Sequence, residues 1–481
     1  MDRTAQLDKL FHPRNVAVIG ASATNFFGRG PQVLMDFGFK GKIFPVNPKG
    51  ESVFGLKSYR SVTEIPETVD SAIIVVPARF VPQVLEECVA KGIEGAQILS
   101  SGFAETNEEA GIALERQVKE IAARGIRLVG PNCFGIYCPG GGLTLLPGAD
   151  FPKESGPIAF LSQSGGHAVE LGRQALGRGL RFSKVVSYGN ACDVNECDLL
   201  EYAAQDAETK VITMYLEGPR EGRRFLELVR ATALKKPVVI WKAGMTPLGS
   251  RAVFSHTASL AGEESIWEAV FKQTAAIRVS SLEEMADTAE ALLTLPPSTG
   301  RRIGMVGGGG GISVAAADAC SQAGLEIPPF DREVREKLAQ ILPPAGTAIG
   351  NPVDLGAPIV PAPVFQGVME TVAGVESVET IIATQALFYV LRATDVLAGT
   401  PEFAQSLIDI PVAVKERYGK PIVMVLPVGG EEVAMAEAEA RRRGARDWYR
   451  QRGILALPTL ERATRAVANV VEYYEKAGRR A

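Results

Sequence analysis

Asn15-Val-Ala-Val-Ile-Gly20-Ala-Ser22 is a short apolar run that ends in glycine and opens into a small, polar turn, after which helical periodicity resumes near Gly30. A strand entering a helix through a Gly/Ser turn is how a doubly wound α/β domain begins, with backbone N–H groups turned toward a phosphate. The spacing is not G-x-G-x-x-G, because the next glycines are Gly28 and Gly30, beyond a loop that holds Phe26-Phe27. Many α/β folds open this way, so the remaining strands must narrow the reading.

Lys42-Ile-Phe-Pro-Val-Asn47 is the second strand, and Pro48-Lys49 follows it. An NAD site places an acid about 20 residues beyond its glycines to hold the ribose 2′-hydroxyl. Here a lysine stands at the strand end. Lys49 suits a phosphorylated ribose, but charge alone does not separate the 3′-phosphate of CoA, the 2′-phosphate of NADP and an ordinary solvated lysine. Ser71-Ala-Ile-Ile-Val-Val-Pro77 is apolar, as a parallel strand buried on both faces should be. Strands at Gly95–Gly102 and Ile126–Gly130 follow, the latter running into Pro131-Asn132-Cys133-Phe134-Gly135. Ligands of such sheets bind beyond the carboxyl ends of the strands. Gly20, Ser22, Lys49, Pro77, Ser100, Gly102 and Asn132 all fall there, and their convergence carries more weight than any one of them.

A Gly/Pro-rich passage, Pro139–Gly156, marks a boundary, and a new strand, Gly156–Leu161, leads into Ser162-Gln-Ser-Gly-Gly166 and a helix to about Leu176. Small residues at a helix N-terminus let several N–H groups and the positive dipole end meet an anion. Capping by Ser162 or Ser164 is the simpler role and is compatible with it. His167, in the first turn, is expected to be locally structural. Strands at Phe182–Ser187 and Lys210–Leu216 follow, and Glu217-Gly218 closes the second. After a linker at Leu295–Gly300 the chain is α/β again. Arg302–Val306 runs into Gly307–Gly311, then Asn351-Pro-Val-Asp-Leu355, with strands near Thr380–Ala383 and Pro421–Leu426. The five-glycine turn suits phosphate binding and tight packing equally.

Gly249-Ser-Arg-Ala-Val-Phe-Ser-His-Thr-Ala-Ser-Leu-Ala-Gly262 fits neither period. It lies in a connection of about twenty residues between a strand at Pro237–Trp241 and a helix at Glu263–Gln273, a length uncommon without function or disorder. The chain has 481 residues, a net charge of −4, 46% hydrophobic and 22% charged residues. That is soluble globular composition for about three domains. No apolar run suggests a membrane span, the weakly acidic balance argues against nucleic acid, and the first residues lack the apolar core of a signal peptide. Six cysteines without C-x-x-C fit reduced thiols, so a cytoplasmic location is expected. Cys192 and Cys197 have no histidine near them in sequence, and no metal site is expected.

Ser255-His-Thr-Ala-Ser-Leu-Ala-Gly262 closely resembles the phosphohistidine segment of the nucleoside-diphosphate-forming acyl-CoA synthetases, relatives of succinyl-CoA synthetase, on their α-type half. Gly130–Gly135, Ser187–Asp198, Tyr215–Gly218 and Asn351–Leu355 are similar to further stretches of that family. The resemblance implies a Rossmann-like CoA-binding domain over residues 1–145 and two flavodoxin-like ligase domains over 150–296 and 300–481. It implies that His256 carries a phosphoryl group, oriented by Glu217. It also implies that Gly20, Ser22, Lys49, Pro77, Ser100, Gly102 and Asn132 serve CoA, and that Ser162, Gln163, Ser164, Gly165 and Gly166 serve phosphate. A tether of about ten residues on each side of His256 would reach on the order of 30 Å at full extension. No stretch resembles the ATP-grasp domain that binds nucleotide in that family. ATP/ADP and Mg are therefore expected on a partner β subunit, in an αβ or α2β2 assembly. A CoA- or acyl-CoA-binding protein that kept the fold without catalysis should have lost His256. An NADP oxidoreductase would need a nicotinamide site and a proton donor, and neither is seen.

Overall fold

The computed structural model describes residues 3–145, 150–251, 263–358, 360–387, 389, 401–429 and 435–478; His256 lies outside the described residues. The chain forms two compact units, dividing between Ala286 and Asp287.

The first unit carries two sheets. In one, β1 (Asn15–Ile19), β2 (Lys42–Val46), β3 (Ser71–Ile74), β4 (Gly95–Ile98) and β5 (Arg127–Val129) are all parallel, in the order β2-β1-β3-β4-β5. In the other, β6 (Gly135–Tyr137), β7 (Ile158–Ser162), β8 (Phe182–Ser187), β9 (Val211–Leu216), β10 (Val238–Lys242) and β11 (Ile277–Val279) lie in the order β11-β10-β9-β7-β8-β6. Only β6 is antiparallel, paired with β8 along the edge. The second unit holds β12 (Ile303–Gly307), β13 (Val353–Asp354), β14 (Thr380–Thr384), β15 (Ile422–Val425) and β16 (Leu455–Leu457), in the order β13-β12-β14-β15-β16.

Counted from its own first parallel strand, each sheet therefore reads 2-1-3-4-5. That order reverses between the first and third strands, which opens a crevice at their carboxyl ends. The apolar runs supply the centres: Val16, Ala17, Ala72, Ile74, Ala96 and Ile98 are all fully buried. The strands stop short of Asn47, Pro77 and Ser100, and so leave these residues at the crevice.

Arg127, at the start of β5, ties the first sheet to the segment that follows β8. It donates through Nε to Asp193 at 2.9 Å and through a terminal nitrogen to Asp198 at 3.0 Å, and Asp198 also accepts from Arg224 at 2.9 Å. The two carboxylates offset part of the cost of burying the guanidinium, whose other terminal nitrogen is buried without a hydrogen-bond partner among the described residues.

Two sequence expectations change. The connection after β10 is not structureless at its start, because residues 247–251 are helical. Thr246 provides the cap, its Oγ1 accepting from Gly249 N at 3.1 Å and its carbonyl from Ser250 N at 2.8 Å, while Pro247 supplies a helical φ at the first turn. A helical residue advances ~1.5 Å rather than ~3.4 Å, so the N-terminal arm of the tether is about 10 Å shorter than full extension would make it. The Gly307–Gly311 turn carries its own anion: Asp354 Oδ1 accepts from Gly309 N at 2.7 Å and Gly356 N at 2.8 Å. Its neighbour Asn351 accepts from Met305 N at 2.9 Å and donates to Ile303 O at 2.8 Å. The Asn-Pro-Val-Asp stretch thus holds the glycine turn in shape.

Candidate functional site

The turn after β1 is folded by its own residues. Ser22 Oγ accepts from Thr24 N at 3.2 Å and Asn25 N at 3.3 Å, and Ser22 N donates to Gly28 O at 2.9 Å. A Cβ on Gly28 would stand 2.7 Å from Ser22 Cβ, so only glycine lets the loop close this tightly. Gly20 N meets Val46 O at 2.9 Å. Lys49 projects, exposed, from a turn in which Asn47 Oδ1 accepts Lys49 N at 3.1 Å. Gly102 N is taken by Glu105 Oε1 at 2.6 Å.

Beyond the ends of β3, β4 and β5, a cavity of about 500 Å³ opens between the two sheets of the first unit. Pro77, Ser100 and Asn132 line it on one side, and Gln163, Ser164, Gly165 and Gly166 on the other. Seven of the expected residues are thus brought together. Gly20, Ser22, Lys49, Gly102, Ser162 and Glu217 are not among the lining residues. Ser100 Oγ donates to Val76 O, and Asn132, at φ +57°, donates its backbone N–H to Ser100 O at 2.9 Å.

The Ser162–Gly166 turn caps the helix Gly165–Arg178. Ser164 Oγ accepts His167 N at 3.3 Å, and Ser162 Oγ donates to Ser164 O at 2.7 Å. The His167 ring packs 4.5 Å from Tyr215 and 5.0 Å from Trp241, the local role expected of it. Gln163 reaches across the switch between β7 and β9. Its Oε1 accepts from Glu217 N and from Gly218 N at 3.2 Å, and its Nε2 donates to Gly218 O at 3.2 Å.

Glu217 is buried, at 4% exposure. Burial raises the Tyr215 hydroxyl above its ordinary range, helped by the Glu217 charge and by the hydrogen bond to that carboxylate. Lys242, also at 4% exposure, donates to Ala243 O and lies 5.4 Å from the Trp267 ring centroid. Burial lowers its ammonium to about 8, against the opposing pull of Glu217. Below about pH 8 both folded and unfolded chains hold this proton, and the penalty for burying the cation is present in full. Between about 8 and the ordinary 10.5 the folded chain releases the proton first, so stability rises with pH and the penalty fades. The stability advantage of Lys242→Met over wild type should accordingly be largest below pH 8 and narrow toward 10.5. Urea unfolding of both at about pH 7, 9 and 10 measures it, and a difference independent of pH would contradict the burial argument.

Sequence reasoning missed Asn190, Phe27 and Phe134, which also line the cavity. Asn190 Nδ2 donates to Glu105 at 2.6 Å and Glu115 at 2.8 Å, which leaves its Oδ1 to accept from Asn132 Nδ2 at 3.4 Å. The signal was Ser187-Tyr-Gly-Asn190, a small-residue strand end of the same kind as the others. Among the described residues no group of three or more His, Cys, Asp or Glu is placed to hold a metal, and no helix is long and apolar enough to cross a membrane.

Residues 14–139 match the CoA binding domain family, and residues 155–292 match the succinyl-CoA ligase like flavodoxin domain. The chain is 37% identical over 486 residues to the α subunit of ADP-forming acetate–CoA ligase I from Pyrococcus furiosus, with 97% of each chain covered. It is 36% identical over 474 residues to the ADP-forming acetate–CoA ligase of Methanocaldococcus jannaschii, covering 98% of this chain but 64% of that longer one. Among solved structures, the dinucleotide forming acetyl-coenzyme A synthetase 1 of Ca. Korarchaeum cryptofilum, in complex with phosphate and ADP, aligns with a TM-score of 0.81 at 30% identity, over 98% of this chain and 97% of that one. With such identity sustained over nearly all of both sequences, the chain belongs to the family of ADP-forming acyl-CoA ligases and aligns with their α subunit.

Proposed function

We propose that this chain is the CoA-binding and phosphohistidine half of an enzyme that interconverts carboxylic acid, CoA and ATP with acyl-CoA, ADP and phosphate. The observation that carries the reading is the single cavity in which the strand ends of the first sheet face the Gln163–Gly166 turn. CoA lies along Pro77, Ser100 and Asn132, with Lys49 toward its 3′-phosphate, and phosphate sits on the N–H groups at the start of the helix Gly165–Arg178.

In the thioester-breaking direction, a phosphate oxygen attacks the acyl carbonyl. The C–S bond breaks, the thiol leaves with a proton, and an acyl phosphate forms. His256 then takes the phosphoryl group: an N–P bond forms, the P–O bond breaks, and the carboxylate departs. Covalent transfer splits one hard step into two easier ones. Glu217 orients the imidazole by accepting a hydrogen bond from its other nitrogen, as the acid of a hydrolase triad does. A separate ATP-grasp β subunit, in an αβ or α2β2 assembly, receives the phosphoryl group on ADP. Mg, bound on that subunit, would offset the nucleotide's charge. The relatives' names support ADP as acceptor and a separate partner chain.

Calorimetry tests the CoA side. Wild type should bind CoA more tightly than dephospho-CoA by about tenfold, a charge-assisted contact's worth, and Lys49→Ala should erase the difference. Equal affinities in wild type would remove the assignment of Lys49.

A further inference from the structure

The ligase reading, on which this inference rests, fixes two points of the cavity: the CoA thiol on the first sheet's side and phosphate at the Gln163–Gly166 turn. The carbonyl that exchanges sulfur for a phosphate oxygen must lie within bonding reach of both. The acyl tail then occupies whatever space borders the turn, and Phe134 stands there. A Cβ placed on Gly165 would come within 2.8 Å of Phe134 Cδ2 and 3.1 Å of Cε2, so the ring lies directly against the start of the helix. Its backbone cannot drift, because Phe134 N donates to Ser187 Oγ at 3.0 Å and the next residue begins β6. Across the opening the Phe27 ring stacks toward it, at 6.5 Å between centroids and 28° between planes. None of the residues lining the cavity is charged. A tail carboxylate would therefore lose hydration there without gaining a charged partner among the lining residues.

We propose that Phe134 is a specificity-determining residue, the wall that limits the acyl group to a small, uncharged chain. Nothing else on the phosphate side of the cavity has comparable bulk, since Ser164, Gly165 and Gly166 are small and Gln163 is committed to Glu217 and Gly218. Removing the ring opens space next to the reacting carbonyl and leaves the phosphate turn and the CoA strand ends in place.

The test uses the full chain with inorganic phosphate and, in turn, acetyl-CoA, isobutyryl-CoA and phenylacetyl-CoA, and follows thiol release in a single turnover. Space for a few methylene equivalents in an apolar pocket changes discrimination by roughly 10–200-fold. Phe134→Ala should raise the phenylacetyl-to-acetyl rate ratio by at least about tenfold, with Phe134→Leu between it and wild type. The Leu variant keeps most of the apolar bulk and carries the comparison if the Ala variant does not fold. An unchanged ratio in variants that still release CoA from acetyl-CoA overturns the proposal and leaves the ligase reading intact. No thiol release from any of the three by wild type counts against the ligase reading itself.

Discussion

His256→Ala is expected to accept no phosphoryl group and to support no turnover, with wild type labelled on His256 alone. The chain has three histidines, at 12, 167 and 256. His167 is packed between Tyr215 and Trp241, and His12 follows directly on the helix Arg3–Phe11, so neither is presented to the cavity. A phosphoramidate is labile to acid and stable to base, so peptide mapping under neutral conditions, after incubation with acyl-CoA and labelled phosphate, locates the site. Without the imidazole no other side chain can take the nucleophile's place, and the rate should fall to background. Glu217→Gln should keep the fold but weaken labelling, since an amide orients the ring less well and stabilises its developing positive charge less. Label on His167, or undiminished turnover in His256→Ala, would sink the mechanism.

Gln163→Met should destabilise the protein by about 2–6 kcal/mol and lower activity with it. The substitution keeps the side chain's length and approximate volume and removes only its polar atoms. Glu217 N and Gly218 N would both lose the oxygen they share, and each buried donor left unpaired costs about 1–3 kcal/mol. Gly218 O would also lose its donor, though a carbonyl with two lone pairs tolerates this better. Activity should suffer beyond the stability loss, because the same bonds hold the backbone that carries Glu217 beside the phosphate turn. Urea unfolding gives the first quantity and single-turnover thiol release the second. A variant within about 0.5 kcal/mol of wild type would mean that Gln163 does not bridge the two strand ends.

Most of the framework was legible because both of its signals are local. Apolar runs such as Ser71–Val76 announce strands buried on both faces, and the residues just past them must lie where a parallel sheet puts its ligands. Pro77, Ser100, Asn132 and the Gln163–Gly166 turn followed from that rule and share one cavity. The rest depended on partners distant in the chain. Asn190 is set by Glu105 and Glu115, 85 and 75 residues away, and no spacing rule connects them. Gln163 could be read as part of an anion turn but not as the bridge to Glu217. Phe134 sat inside a recognisable stretch, yet its contact with Gly165 needs two sheets to face each other. The helical turn at 247–251 was readable in principle from Thr246-Pro247, but glycines at 244 and 249 masked the cap.

β6 makes the cavity's two walls one piece of masonry. Asn132 and Phe134 line the void, and the next three residues, Gly135, Ile136 and Tyr137, are hydrogen-bonded in register to Ser187, Val186 and Val185 of the sheet that bears the Gln163–Gly166 turn. The chain that leaves the first sheet is thus riveted to the opposite wall within a residue or two. The gap cannot widen by sliding one sheet past the other without shearing those bonds and baring the edge of β8, which is itself a template for unwanted pairing. The spacing of Asn132 and Phe134 from the Gln163–Gly166 turn is therefore set once, when the chain folds.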